Sequence, residues 1–451
     1  MSTIPLEELA NFVSTHKLQP SEEAITVVKN ALIDTLGCIL AGSYQPVAIK
    51  TQRTVSLWGD GPAPAYGTPL KLAPPWAALA NGTAGHALDY DDWESPGNSH
   101  ISTVIFPALL AAAHSIKKPV SGRQILDAYI AGFEVSARIG EAVNFEHYAK
   151  GWHTTATIGA IGAAAAVSRL HRLNPKKTKH ALAISVSQAI GYQEQFGSDT
   201  KPLHAGFAAK AGVLSVNLAK NGITGQPNVL NGPRGFSALM GTAGLAHWEQ
   251  VISKIGIPLA IEEYGLVVKP YSSCGYTHRV MDCARALSQS ADFDLKGIKK
   301  ITVSLPDFHA AILPFKQPSN QAEAMFSLPF CTAMALVYGR VTPNDLAEKK
   351  WKDPQIKKII PKVNIDVRTP KNLEVNYDPA DPDWVEIEYK NNAVLRKEEV
   401  YPLGYPSNPM TSEQILDKFL DCSGLSTDTK PVQNLQMWVD QPDIKQVLRH
   451  F

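Results

Sequence analysis

Apolar residues recur at helical spacing through most of the first 265 positions. Ser21 precedes Glu22 and Glu23, an acidic first turn that suits a helix N-terminus, and Val28, Leu32, Leu36 and Ile39 then repeat on one face. Ser121 with Gln124 three residues on has capping-box form, followed by Leu126, Tyr129, Ile130, Phe133 and Ala137 along one side. Residues 157–170 (TIGAIGAAAAVSRL) are almost all small, which predicts a central buried helix that neighbouring backbones approach closely. Its GAIGAA lacks the glycine spacing of a dinucleotide-binding loop.

After Tyr271 the period changes. Residues 299–305, 363–367 and 384–389 alternate like strands, and Asn391-Asn392 predicts a hairpin into 393–400. Helices are expected between them over 322–338 and 343–351. Thr411 with Gln414 is a second capping-box pattern, with Ile415, Leu416, Phe419 and Leu420 behind it. The expected fold is mainly α: a large helical domain over 1–267, a smaller α+β domain over 268–397, and a helical C-terminal segment over 398–451 that packs back on the first.

Composition narrows the function classes. Of 451 residues, 44% are hydrophobic and 19% charged, which excludes a disordered chain and implies extensive burial in a core or at a subunit interface. The net charge of +1 argues against a nucleic-acid or anionic-membrane footprint. No apolar run approaches the ~20 residues of a membrane span, and the N-terminal stretch has no basic region ahead of an apolar one. The five cysteines are scattered without CxxC pairs, against a disulfide framework or a zinc site. These features lead us to expect a soluble, cytoplasmic protein.

Four polar clusters interrupt the apolar pattern. The first, HALDYDDWESPGNSHIS, holds His86, Asp89, Asp91, Asp92 and His100, and its residue types admit a metal site, a structural polar loop or a metal-free acid–base site. In the second, HYAKGWHTTATIG, Tyr148 and Lys150 precede His153 at the start of the small-residue helix. A helix N-terminus there would favour the neutral imidazole that a general base needs, although the ring could equally cap or pack. The third, GSDTKPLHAGFAAKAG, supplies Lys201 and His204. The fourth, VVKPYSSCGYTHRVMDCA, supplies Lys269, Cys274, His278 and Arg279; its Cys and His raise a thiol nucleophile whose geometry spacing does not give. Together the clusters point to an anionic substrate held by cations, with histidine available for proton transfer.

Five ordered blocks carry a family resemblance over essentially the whole chain: NGTAGHALDYDD with HISTVIFPALLA, GWHTTATIGAIGAAAA, KPLHAGFAAKAG with NGITGQPNVLNGPRGF, KPYSSCGYTHRVMD, and AMFSLPFCTAMAL. They resemble the MmgE/PrpD family, which includes 2-methylcitrate dehydratases, cis-aconitate decarboxylases and iminodisuccinate epimerases. The resemblance implies a helical domain built from both chain ends, a smaller α+β lid, a homodimer, and a site in the cleft between domains that needs no metal or organic cofactor. It also implies a small polycarboxylate substrate, with no nucleic-acid or membrane partner. Asp89 matches the first Asp of the family's D-[FY]-[DN]-D block, His100 the histidine after the loop, His153 the GWH histidine, Lys201 the KPLH lysine and Lys269 the KPY lysine.

Three positions depart from the decarboxylase pattern: Trp93 replaces Thr, Cys274 replaces His and Leu328 replaces Tyr. The interval from Asp89 to His100 and the stretch from Tyr148 to GWH are more like the epimerase branch. The shared chemistry is proton abstraction from carbon beside a carboxylate. His100 and His153 are then expected as base and acid, with Asp89 orienting one of them. Lys201 and Lys269 are the expected carboxylate clamps, together with Arg279, and His204, Cys274, His278 and Tyr148 complete the expected substrate wall. Loss of hydroxide after abstraction makes a dehydratase, reprotonation an epimerase, and loss of carbon dioxide a decarboxylase; dehydration of a citrate-like acid is the leading expectation.

Overall fold

The computed structural model describes residues 4–241, 247–372 and 376–451. Its helical part is built around α1 (Glu22–Ser43), α2 (Pro74–His86), α3 (Ser102–Ala113), α4 (Gly122–Val143), α5 (Thr154–Leu170) and α6 (Thr200–Lys220). The expected caps form: the Ser21 hydroxyl accepts from the Ala24 amide, and Ser121 and Gln124 make the reciprocal bonds of a capping box.

The small residues of α5 do what their size permits. A Cβ on Gly162 would lie 1.9 Å from Ser136 Oγ of α4, and one on Gly212 of α6 would lie 2.5 Å from the Ala163 methyl. On its other side α6 meets α2, where a Cβ on Gly206 would lie 2.4 Å from the Leu79 carbonyl oxygen. These four helices therefore cross at near backbone contact, which any larger residue at those points would prevent. The layer matters because α2, α5 and α6 carry site residues at their ends.

By length and composition α1 could cross a membrane, although its sequence holds charges that break the apolar run. It is a core helix instead. Most of it is buried, and its Asp34 carboxylate pairs at 2.6 Å with Lys418 of α9 (Ser412–Ser423). The helix α9 starts with the expected Thr411–Gln414 capping box and lies along α1, so the first apolar core draws on both chain ends, from Leu6 to Val268 and from Ile415 to Leu448.

A second core runs from Val267 to Tyr389 and takes in Trp93. It covers a four-stranded sheet of β1 (Ile298–Pro306), β2 (Val363–Arg368), β3 (Asp383–Tyr389) and β4 (Val394–Glu399), in the order β2-β1-β3-β4. Strands β1 and β2 are parallel and the other pairs antiparallel. Alternation along β3 buries Val385, Ile387 and Tyr389 beneath α7 (His278–Ser288), against which α8 (Leu328–Tyr338) packs. The hairpin forms at Asn391-Asn392, where Asn392 takes φ 65°.

Helix 322–338 is not continuous. It ends at Ala324, and α8 starts anew with Ser327 as a side-chain cap and Pro329 in its first turn, where proline's missing N–H costs nothing. The segment 343–351 likewise splits into Pro343–Ala347 and a short 3₁₀ turn at Lys350–Lys352.

Candidate active site

The two cores meet along a pair of antiparallel segments. Trp93 and Val267 exchange backbone hydrogen bonds at 3.0 and 2.9 Å, and Ser272 Oγ donates to the Leu88 carbonyl at 2.6 Å. Beside this seam lies a narrow cleft, partly open to solvent. Asp89, Asn98, His100, Tyr148, His153 and Lys201 line it from the helical side; Lys269, Cys274, Tyr276 and Phe326 face them from the α+β side.

Asp89 is the hub. It follows the end of α2 in the left-handed region, with φ 46°, a conformation Asp tolerates better than most residues. Its Oδ1 accepts from Lys201 Nζ at 2.7 Å and from Lys269 Nζ at 2.9 Å, and its backbone carbonyl also accepts from Lys269 at 3.0 Å. Burial alone would raise this carboxyl, but the two ammonium groups hold it well below the usual carboxylate range. Its other oxygen, Oδ2, is buried with no hydrogen-bond partner among the described residues. Lys201 is further framed by the Phe326 and Phe196 rings, 5.1 and 5.5 Å from its ammonium.

Behind Lys201 stands a fixed relay. Lys201 Nζ donates to His86 Nε2 at 3.0 Å, and His86 Nδ1 bonds both Asp91 oxygens at 2.9 Å. An ammonium has no lone pair, so His86 must carry its hydrogen on Nδ1. Burial and then Lys201, only partly opposed by Asp91, push this imidazole down to about 4.

His100 has a defined orientation as well. Its Nδ1 lies 3.0 Å from the Asp92 carbonyl oxygen, a pure acceptor, so Nδ1 carries the hydrogen and Nε2 keeps its lone pair. Nε2 sits 3.8 Å from Asp89 Oδ1, and burial followed by Lys269 lowers the ring's pKa. His153 occupies the cap position of α5 without capping it. Its Nδ1 lies 2.9 Å from His204 Nδ1, so one of these two nitrogens carries the shared hydrogen. Burial and the His204 ring hold His153 well below its ordinary value, and burial lowers His204 to about 4. The dyad leaves Nε2 of His153 for the cleft, as N–H or lone pair according to which ring donates.

His86, Asp89, Asp91 and His100 each offer a ligand atom within 4.8 Å of the others. Several acceptors of this group are already engaged by cations and hydrogens, namely Asp89 Oδ1 by two ammonium groups, His86 Nε2 by one and Asp91 by the His86 N–H, while Asp89 Oδ2 and His100 Nε2 stay open. Positive charge there is supplied by lysine.

The structure brings Asp89, His100, Tyr148, His153, Lys201, Lys269 and Cys274 together as cleft-lining residues. His204 stands behind His153, where it acts on the ring and does not line the cleft. Two expected substrate contacts are elsewhere. Arg279 Nε and a terminal nitrogen bond both oxygens of Asp383, at 2.9 and 2.7 Å, and its guanidinium covers the Tyr377 ring at 4.6 Å. That cation is already spent on the sheet. His278 turns to the Ser273 carbonyl, 3.3 Å away, and is pushed down to about 3 by burial and then Lys269. Nor is a thiolate at hand: burial, then Asp89, raises Cys274 to about 11, so its sulfur stays protonated near neutrality.

Spacing did not reveal the loop 94–99, in which Glu94 and Ser99 pair across a tight turn that leaves Asn98 at φ 51°. Asn98 Nδ2 donates to the Tyr276 hydroxyl at 2.9 Å, and Tyr276 also bonds Tyr148, so this polar wall links both domains. Tyr276 and Phe326 lay inside motif blocks and Phe196 just ahead of one; nothing in the sequence marked Ile312.

Profiles of the MmgE/PrpD N-terminal and C-terminal domains match residues 7–248 and 271–441. The chain belongs to the MmgE/PrpD family. It is 28% identical over 434 residues to the cis-aconitate decarboxylase of Homo sapiens, covering 92% of this chain and 88% of the relative. The Mus musculus cis-aconitate decarboxylase is 27% identical over 405 residues, covering 87% and 80%. The 2-methylcitrate dehydratase of Escherichia coli is 23% identical over 448 residues, covering 91% and 88%. These end-to-end alignments put the chain among enzymes of the lyase class. Of the three positions that depart from the family's decarboxylase pattern, Trp93 and Cys274 line the cleft, whereas Leu328 is buried in the second core.

Proposed function

We propose that the protein is a metal- and cofactor-independent lyase that removes a proton beside a carboxylate of a small di- or tricarboxylic acid, and that the reaction is dehydration of a citrate-like hydroxy acid. The observation that carries this reading is the meeting of Lys201 and Lys269 on Asp89 at the cleft wall, next to the free Nε2 of His100. With one carboxylate between two cations, the three groups keep one net positive charge for an incoming anion. The lysines neutralise substrate carboxylates and the negative charge that develops as the proton leaves. His100 Nε2 takes the proton, and the resulting imidazolium is stabilised by Asp89 and Asp91, 3.8 and 3.4 Å from its nitrogens. His153, whose ring centre lies 6.4 Å from that of His100, delivers a proton to the departing hydroxyl through Nε2, and His204 holds its other nitrogen.

Cis-aconitate decarboxylation is the second reading, favoured by the higher identity to decarboxylases. Against it stands Cys274, a protonated thiol with little acidity where the decarboxylase pattern has histidine. Product analysis by NMR with 2-methylcitrate, citrate, cis-aconitate and iminodisuccinate separates the readings. An alkene from a citrate, in chelator-treated protein, supports dehydration. Decarboxylated product from cis-aconitate, or hydrogen exchange without elimination, replaces it with decarboxylase or epimerase.

A further inference from the structure

The helix α9 reaches the seam with its buried Lys418. Its ammonium donates to the Tyr90 carbonyl at 2.6 Å and the Lys269 carbonyl at 2.9 Å, and pairs as an ion with Asp34 of α1 at 2.6 Å. It also sits 3.9 Å from the centre of the Tyr90 ring, and only 5% of the residue is exposed. Burial disfavours the charge, but Asp34 first, with Cys38 and Tyr90, offsets this and raises the pKa, so the group stays cationic.

We propose that Lys418 is a positioning residue for the reaction. Tyr90 lies between Asp89, which receives both lysines, and Asp91, which holds His86. Lys269 is itself one of the two clamps. The ammonium thus pins the backbone on both sides of the seam, midway between the Trp93–Val267 bridge and the Ser272–Leu88 bond. That register decides whether Lys269 Nζ meets Asp89. The ion pair with Asp34 would be enough to hold α9 on α1; the two carbonyl bonds serve the site.

The inference rests on the proposed proton-transfer site, and the design separates the two roles of the ammonium. In Asp34→Leu/Lys418→Met the buried charges disappear together, which commonly preserves stability, while the carbonyl bonds are lost. We expect a melting temperature close to wild type and a kcat about 10- to 100-fold lower per folded molecule, the scale of a misplacement near 1 Å. Asp34→Asn keeps both carbonyl bonds and is expected to melt earlier with kcat within about threefold of wild type. Recovery of kcat along with melting temperature in the double variant overturns the proposal. If the double variant does not fold, a tenfold or larger loss of kcat in Asp34→Asn overturns it and a preserved kcat supports it. Inactivity of the wild-type protein on every polycarboxylate would refute the proposed reaction and, with it, the site that Lys418 is said to position.

Discussion

Two buried carboxylates in this protein each sit between two cations, and they do different work. Asp89 receives Lys201 and Lys269; Asp383 receives Arg279 and Arg368, whose terminal nitrogens lie 2.7 and 2.8 Å from the same oxygen. Around Asp383 the planar guanidinium of Arg279 takes both carboxylate oxygens, and Arg368 also donates to the Asp381 carboxylate, the Ser304 hydroxyl and the carbonyls of Asp381 and Pro382. Such a cluster ties α7 to β2 and β3. Around Asp89 the lysines bring compact charges to a single oxygen, Oδ2 is left without a hydrogen-bond partner among the described residues, and the group borders the cleft. Charge pairing is common to both; an unfilled hydrogen-bonding position beside a cavity is found at Asp89.

The comparison predicts opposite responses to substitution. The largest effect belongs to the cleft: His153→Gln should lower kcat by ~10²–10⁴, the usual contribution of a general acid or base, with little change in KM or melting temperature. Were His153 a packing residue beneath α5, the melting temperature would fall and kcat per folded molecule would hold, removing it from the mechanism.

Arg279→Met should do the reverse. It should destabilise by about 3 kcal/mol, the low end for breaking a buried pair because Arg368 remains on Asp383, and leave kcat per folded molecule unchanged. A denaturant titration beside a rate measurement on the folded fraction checks both halves, and a rate loss without a stability loss would return Arg279 to the site.

Lys201→Ala should raise KM by roughly 10- to 100-fold and lower kcat as well if its grip tightens with developing charge. A KM that does not move would mean that Lys201 serves Asp89 and not the substrate.

Much of this contrast was legible in the chain, and the part that was not has a physical reason. Capping boxes at Ser121 and Thr411 and the small residues of α5 involve neighbours within a few positions, so spacing reveals them. Asp89, Lys201 and Lys269 were marked by motif blocks. Their convergence on one oxygen depends on α2, α6 and the seam, and no local pattern records it. Arg279 shows the limit most clearly. It sits in the same KPYSSCGYTHRVMD block as the cleft-lining Cys274, five residues further on, yet Asp383, over 100 positions on, claims it.

The smallest effect concerns pH. His86 and His204 are held near 4 when folded, against about 6.5 in an unfolded chain. Below pH 6.5 the unfolded chain therefore binds protons that the folded one refuses, so stability falls as pH drops toward 4 and is fully present above 6.5. His204→Gln should lessen the fall in melting temperature between pH 6.5 and 5 relative to wild type; an unchanged profile would show that this ring is not buried neutral.

The central claim is that the Asp89 cluster supports carbon deprotonation and the Asp383 cluster does not. Solvent deuterium entering the carbon beside a substrate carboxylate, followed by NMR, reads that step directly. The wild-type protein and Arg279→Met should incorporate deuterium at similar rates per folded molecule, and His100→Gln should lose at least a hundredfold. Exchange that survives in His100→Gln, or that vanishes in folded Arg279→Met, would contradict the account.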